Sequence, residues 1–224
     1  MRYLAQFRKT GAAVYVSHLD LMRTMQRALR RANVPMCYSN GFNPHPILSF
    51  AMASPVGMAS HAEYMDVKVE DGADALEITR ALIAALPEGL SIVRSRMAED
   101  DYPALMSRVA LCDAAITFLN VPDAEEKWKA FYAQPEVLTE KHSNKGVRTV
   151  DIKPMILTAG MRGDVLSVRL RAGSAANLSP TLLAQSFCAY CGGDAQFRCL
   201  QRALWAGDET HPVDLLELDK EVTA

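Results

Sequence analysis

Two histidines, His18 and His45, bracket a run of arginines, Arg23, Arg27, Arg30 and Arg31, within the stretch Ser17 to Ser49. A histidine pair near guanidinium groups can cleave a phosphodiester by general acid–base catalysis, as metal-independent ribonucleases do, with arginine holding the developing charge. The same residues suit plain recognition. Arginine forks match phosphates, and Ser39, Asn40, Asn43 and His45, set between the flat side chains of Tyr38 and Phe42, suit a phosphate-bearing or nucleobase-bearing ligand. On that reading His18 caps a helix and His45 packs between Pro44 and Pro46. In a third use the arginines pair with acidic residues of a partner protein.

The elements that position these side chains are readable. Ser17 followed by Asp20 has the spacing of a capping box, which predicts a helix starting at His18. Leu19, Met22, Met25, Leu29 and Ala32 recur at three- and four-residue steps and predict its buried stripe, with the four arginines outward. Asp20 is the only acid nearby, so these arginines are expected to take an anion from elsewhere. Pro35 ends the helix near Asn33. Asn40-Gly41 then predicts a tight turn, and Pro44 and Pro46 stiffen its exit.

These residues also carry a likeness. SHLDLMR, RALRRA, SNGFNPHP and LSFA resemble the signature of the bacterial radical-SAM-associated proteins of unknown function, small proteins encoded beside or fused to radical SAM enzymes. The likeness extends to Lys145-Gly-Val-Arg148 and Val150-Asp-Ile-Lys-Pro154. It implies a radical SAM enzyme as partner but no established reaction. The chain lacks the Cys-x3-Cys-x2-Cys cluster run, so it resembles the associated protein and not the radical enzyme. Taken with the arginine face, the expectation is a non-catalytic RNA-binding accessory that presents transfer or ribosomal RNA to that enzyme, without a cofactor of its own.

The net charge of −2 hides an asymmetry: residues 1 to 60 hold seven basic side chains against Asp20, a local +6, leaving −8 for the rest. A local positive field on a mildly acidic protein points to a directed anion site more than to indiscriminate coating of nucleic acid. Lys145, Arg148 and Lys153, with Lys141, form a second basic run. Were the two halves related by a pseudo-twofold, both runs would line one groove and the anion would be a polymer. Cys188, Cys191 and Cys199, with His211 as a fourth candidate, have metal-like spacing. The first two fall at the C-terminal end of a helix, whose dipole disfavours thiolates, so buried free cysteines and no metal are expected. Five cysteines, no signal peptide and no long apolar run predict a cytoplasmic protein that does not cross a membrane.

Hydrophobic patterning gives strands over Arg2 to Lys9, Ile47 to Met52, Glu63 to Glu70 and Leu90 to Met97, with helices from His18 and over Ala73 to Leu86, the latter burying Leu76, Ile83 and Leu86. Pro55 to Ser60 reads as a bend. The order is that of a ferredoxin-like βαββαβ unit. The second half reads as strand, helix, strand, strand, strand, helix, strand over Ala110 to Leu204, one strand more than a duplicate needs. The expected fold class is therefore α+β, two tandem ferredoxin-like halves with antiparallel sheets and helices on one face. The expected organisation is 1–103, 104–206 and an acidic, flexible tail at 207–224.

Overall fold

The computed structural model describes residues 1–143, 146–174, 176–192 and 195–218, with only the backbone of His142 and Ser143. Strand β1 (Arg2–Lys9) leads through a 3-10 turn, Gly11–Tyr15, into helix α1 (His18–Arg31). Ser17 caps α1 as its spacing predicts: its Oγ accepts the Asp20 backbone N–H at 3.2 Å and donates to the Asp20 carboxylate at 2.8 Å. The buried stripe is Leu21, Met25, Ala28 and Leu29, while Leu19 is exposed and Met22 and Ala32 are half-buried. Two apolar stripes lie side by side on this helix, and only the sheet beneath selects one of them.

The first unit continues with β2 (Leu48–Phe50), β3 (Met58–Lys68), α2 (Ala75–Ala85) and β4 (Leu90–Ala98). The bend expected over Pro55 to Ser60 stops short, because Met58 to Ser60 already belong to β3. Helix α2 buries Ile78 and Leu82, whereas Leu76 and Ile83, expected inward, face solvent. This helix is rich in alanine and apolar nearly all round, so its sequence holds little information about which side packs.

A short helix, α3 (Leu105–Arg108), joins the units. Then follow β5 (Leu111–Phe118), α4 (Ala124–Ala133), β6 (Leu138–Ser143) and β7 (Gly146–Asp151). The chain closes with β8 (Ile156–Arg162), β9 (Val165–Arg171), α5 (Pro180–Cys191), β10 (Phe197–Gly207) and β11 (Pro212–Asp214). The surplus strand of the second half is explained by a hairpin. A 3-10 turn at Lys153–Met155 separates β7 from β8, so β7 pairs with β6 in a small sheet of its own and β8 joins the main one.

The fold is mixed α+β around one large, mostly antiparallel sheet. Nine strands join in the order β4-β1-β3-β10-β5-β9-β8, with β2 on β3 and β11 on β10. Two separate sheets were expected; the units instead share one, through the parallel pairing of Met58, Ala59 and Ser60 with Cys199, Leu200 and Gln201. Strands β2 and β10 take the same edge of β3, β2 along Phe50 to Leu48 and β10 further down.

Side-chain parity shows what covers each face. Tyr3, Ala5 and Phe7 pack with Leu21, Met25 and Leu29 of α1 and Ile78 and Leu82 of α2, while Leu4 belongs to a different cluster. The register Lys9–Ser60, Ser60–Gln201, Gln201–Ala114 carries that parity into the second unit. There Phe118, two residues beyond Ile116 on the same side, packs edge-on against Phe187 of α5 with ring centroids 4.8 Å apart. The four long helices therefore share one face of the sheet.

The opposite face carries α3 and a C-terminal strap. The tail expected to be flexible from Gly207 is folded through Leu218: β11 pairs with Trp205 to Gly207, and Leu215, Leu216 and Leu218 are buried. The Tyr102 hydroxyl donates to the Leu215 carbonyl and accepts the Leu218 N–H, both at 2.9 Å. Arg96 donates to the Leu216 carbonyl at 2.7 Å, and Arg94 pairs with Asp214. Three leucines among acids look soluble in isolation; partners more than a hundred residues away bury them. Residues 219–224 of the expected tail lie outside the described residues. Among the described residues no helix is long and apolar enough to cross a membrane.

Candidate nucleic-acid interface

The arginines of α1 are less available than their sequence suggests. Arg23 pairs with Asp20 at 2.9 Å, and Arg31 donates to the Ala85 carbonyl at 2.6 Å, satisfying the C-terminal end of α2. Arg27 and Arg30 are exposed on the helix side of the molecule. Of the four, Arg23 and Arg31 therefore have partners within the chain.

The SNGFNPHP loop holds its shape through short-range bonds. Tyr38 bridges Pro46, the Ser39 N–H donates to the His45 carbonyl at 2.9 Å, and the His45 N–H donates to Ser39 Oγ at 3.1 Å. The same Oγ lies 2.8 Å from His45 Nδ1. The Asn43 carbonyl lies 3.5 Å from the same Nδ1, so the ring is held at Nδ1 in either tautomer and Nε2 is left free. Phe42 is fully in solvent at the tip, Asn40 and Asn43 are exposed beside it, and Gly41 has φ 125°, a conformation that side chains with a Cβ rarely adopt. His45 is exposed and not buried between its prolines.

His18 is on the other side of the sheet. Its ring meets Phe50 edge-on at 5.6 Å in the core beneath α1, and its Nδ1 is buried with no partner among the described residues. His45 instead lines a cavity over the opposite face, which carries no long helix, so the two histidines do not form an acid–base pair. The floor of that cavity is Arg2, Ser49, Asp66 and Lys68, and its walls are the loop (Ser39, His45, Pro46, Ile47) and the segment Asp100 to Ala104; its volume is about 620 Å³. Arg2 forks onto Asp66, with Nε to Oδ1 at 3.1 Å, and also donates to the Tyr102 carbonyl. Lys68 pairs with Asp100 at 3.2 Å.

The second basic run does not join the first. Lys141 donates to the Asn177 carbonyl at 3.3 Å, and Arg148 is exposed opposite it on the β6–β7 hairpin. Lys153 bonds the Gln134 carbonyl and lies 5.5 Å above the Tyr132 ring, holding the end of α4. Lys145 lies outside the described residues. The hairpin forms a sheet of its own, apart from the strands of the main sheet.

A different set of arginines emerges in the second unit, on the face without long helices. Thr158, Gly160 and Arg162 of β8 align there with Arg169, Ser167 and Val165 of β9. Asp113, Ala115 and Thr117 of β5 lie in the same rows, flanked by Ala203, Leu200 and Arg198 of β10. Arg162, Arg198 and Arg202 are exposed, and Arg202 reaches Ser167 at 3.4 Å. Arg169 is committed, forking onto Asp113 at 2.7 and 2.8 Å, while Trp205 Nε1 donates to the same carboxylate at 2.9 Å. Burial pushes the Asp113 carboxyl up, but those bonds outweigh it and hold it below the ordinary range. Arg171 pairs with Glu209 at 2.5 Å. The sequence shows an alternation in β9, Leu166, Val168 and Leu170 against Ser167, Arg169 and Arg171, but its two arginines are the paired ones, and Arg162, Arg198 and Arg202 lie outside it.

At the junction of the units lies a closed polar cluster. Lys9 and Glu63 are 0% and 3% exposed. Lys9 Nζ donates to the Pro55 carbonyl at 3.0 Å, and Gln201 Nε2 donates to Ser60 Oγ at 3.1 Å and the Ala62 carbonyl at 2.9 Å. Ser54 and Ser60 lie beside the Glu63 carboxylate, yet Glu63 Oε1 and Ser54 Oγ make no hydrogen bond among the described residues. Burial pushes the Glu63 carboxyl up and the Lys9 amine down.

The cysteines pack as apolar residues. Burial pushes the Cys188 thiol up to about 11 and Cys199 to about 12. His211, the proposed fourth ligand, sits in the turn after β10, whose eight residues beyond Cys199 span roughly 26 Å.

No curated protein matches the chain in sequence. Among solved structures, a chain in "Crystal Structure of a Cbf5-Nop10-Gar1 Complex" is similar at TM-score 0.45 and 11% identity, over 93% of this chain and 51% of that one. The present chain thus spans about half the length of that protein. The profile of an uncharacterized protein family conserved in bacteria, DUF2344, matches residues 2–180, and the chain belongs to that family.

Proposed function

We propose that this chain is a non-catalytic RNA-binding accessory that presents transfer or ribosomal RNA to a radical SAM enzyme in the cytoplasm. One observation carries the RNA reading: Arg162, Arg198 and Arg202 stand exposed around the small, exposed Gly160 and Ser167 on a sheet face that no long helix covers. Small side chains leave room for a backbone to approach, and the guanidinium groups around them suit its phosphates. The radical SAM partner rests on the likeness of SHLDLMR and SNGFNPHP, and the cytoplasmic setting is supported by five free cysteines. The proposal includes a tandem ferredoxin-like architecture. Its support is that β4-β1-β3-β2 and β10-β5-β9-β8 place the fourth, first, third and second strands of each unit in the same order once the β6–β7 hairpin is set aside.

The separation of His18 and His45 weighs against a nuclease. A protein-interaction module has one observation behind it, the fully exposed Phe42 at the loop tip. Filter binding of labelled cellular RNA across a salt series tests the proposal. Retention that falls steeply with salt supports it. No retention at low salt removes the RNA reading, and capture of a radical SAM enzyme that depends on Phe42 alone would favour the interaction module.

A further inference from the structure

We infer that the cavity between the SNGFNPHP loop and the Asp100 to Ala104 segment takes an uncharged, planar, hydrogen-bonding heterocycle, an unpaired base of the bound RNA; this rests on the RNA reading above. The cavity opens on the same sheet face as the exposed arginines of the second unit. Its volume of about 620 Å³ lies within the range of small-ligand sites.

Its charges decide the ligand class. Arg2 and Lys68 look like an anion site, but Asp66 occupies the Arg2 fork and Asp100 lies between Lys68 and the Met1 ammonium, itself also paired with Asp71, so the charges at the floor are matched. A phosphate entering there would meet two carboxylates as well as two cations, and its dehydration would go uncompensated. An uncharged ring meets no such opposition. Asp66 and Asp100 retain lone pairs for ring N–H groups, Lys68 retains N–H donors, and Ser49 can do either. His45, held by Ser39 on Nδ1, offers Nε2 from the wall as a donor or an acceptor according to its tautomer. Pro46 and Ile47 supply apolar surface for the ring. Tyr102 cannot stack with it freely, because Arg2 and Arg96 lie 5.9 and 5.5 Å from its ring centre. Donors and acceptors around a neutral, partly apolar slot are what base edges require, with phosphates left to the arginines outside.

The test uses the full chain and calorimetric titration with adenosine, guanosine, cytidine, uridine and their 5′-monophosphates. At least one nucleoside should bind, and its monophosphate should bind no more tightly. Ala104→Trp, at an exposed rim position, should weaken that binding by about tenfold or more with the circular dichroism unchanged; Ile47→Trp narrows the opposite wall and serves if Ala104→Trp disturbs α3. Absence of nucleoside binding overturns the inference, as does a monophosphate bound about tenfold more tightly, or binding indifferent to both tryptophans. RNA retention without nucleoside binding refutes the cavity alone. Nucleoside binding without RNA retention supports the cavity and removes the polymer.

Discussion

Gln201 on β10 reaches across to β3 and donates from one amide nitrogen to both Ser60 Oγ and the Ala62 carbonyl, at 3.1 and 2.9 Å. All three residues are buried, and the bonds cross the parallel pairing that makes one sheet of two units. Gln201→Ala leaves the Ser60 hydroxyl and Ala62 carbonyl short of a partner and should cost about 1–3 kcal/mol. For a chain of this size that lowers the melting temperature by roughly 2–4 °C per kcal/mol, which calorimetry will read. An unchanged melting temperature would mean that the side-chain bonds add nothing to the strand pairing.

Lys9 and Glu63, beside that crossing, give a pH test with a definite sign. Lys9→Met takes the favourable charge away from the buried Glu63 carboxylate and the donor away from the Pro55 carbonyl and should lower stability, and adding Glu63→Gln should recover part of the loss. The folded-state pKa of Glu63 is raised, and losing Lys9 raises it further. The folded state then holds its proton more tightly than the unfolded chain, so the deficit of Lys9→Met is fully present above the folded pKa and shrinks as pH falls toward the unfolded value near 4.5. Urea unfolding of wild type and variant at pH about 8 and about 5 measures it. A deficit that grows on acidification would mean that Lys9, and not Glu63, governs the pair.

The arginines separate by face. Arg198→Glu with Arg202→Glu should abolish most RNA retention and make the logarithmic salt slope shallower by about 2. Arg27→Glu with Arg30→Glu, on the helix side, should have the smaller effect. Arg31→Glu should lower stability instead, since it removes the donor to Ala85 and puts a negative charge at the end of α2. If the helix-side pair matters more, the interface is on α1 and the proposed sheet face is wrong.

Thiol reactivity should divide the five cysteines. Cys112, Cys188 and Cys199 are buried with thiols pushed up by burial, and should react with a thiol reagent only after unfolding. Cys37 and Cys191 are half-buried and should react first. Fast modification of three or more thiols in the native protein, counted by mass spectrometry, would contradict this packing.

Much of the first unit was legible because its signals are local. The Ser17–Asp20 cap, the end of α1 near Asn33 and the Ser39 to His45 turn all rest on bonds spanning six residues or fewer. The helix faces were not legible in the same way. Leu19 against Leu21, and Leu76 and Ile83 against Ile78 and Leu82, differ only in which neighbour arrives from elsewhere in the chain. Arg169 and Arg171 were visible as an alternation in β9, but an alternation does not say which face a helix will cover or which arginines will meet a carboxylate.

The sequence by itself determined where the chain turns, caps and alternates, because those preferences are set by steric and hydrogen-bonding demands within a few residues. Only the tertiary structure decided what the charged groups are for. Arg2 is matched to Asp66 by partners 64 residues apart, Arg31 to Ala85 by 54, and Gln201 to Ser60 by 141. A cation read along the sequence looks available until the fold brings its counter-ion or carbonyl. Folding matched Arg2, Arg31, Lys68 and Lys153 to partners and left Arg162, Arg198 and Arg202 exposed on the face without long helices.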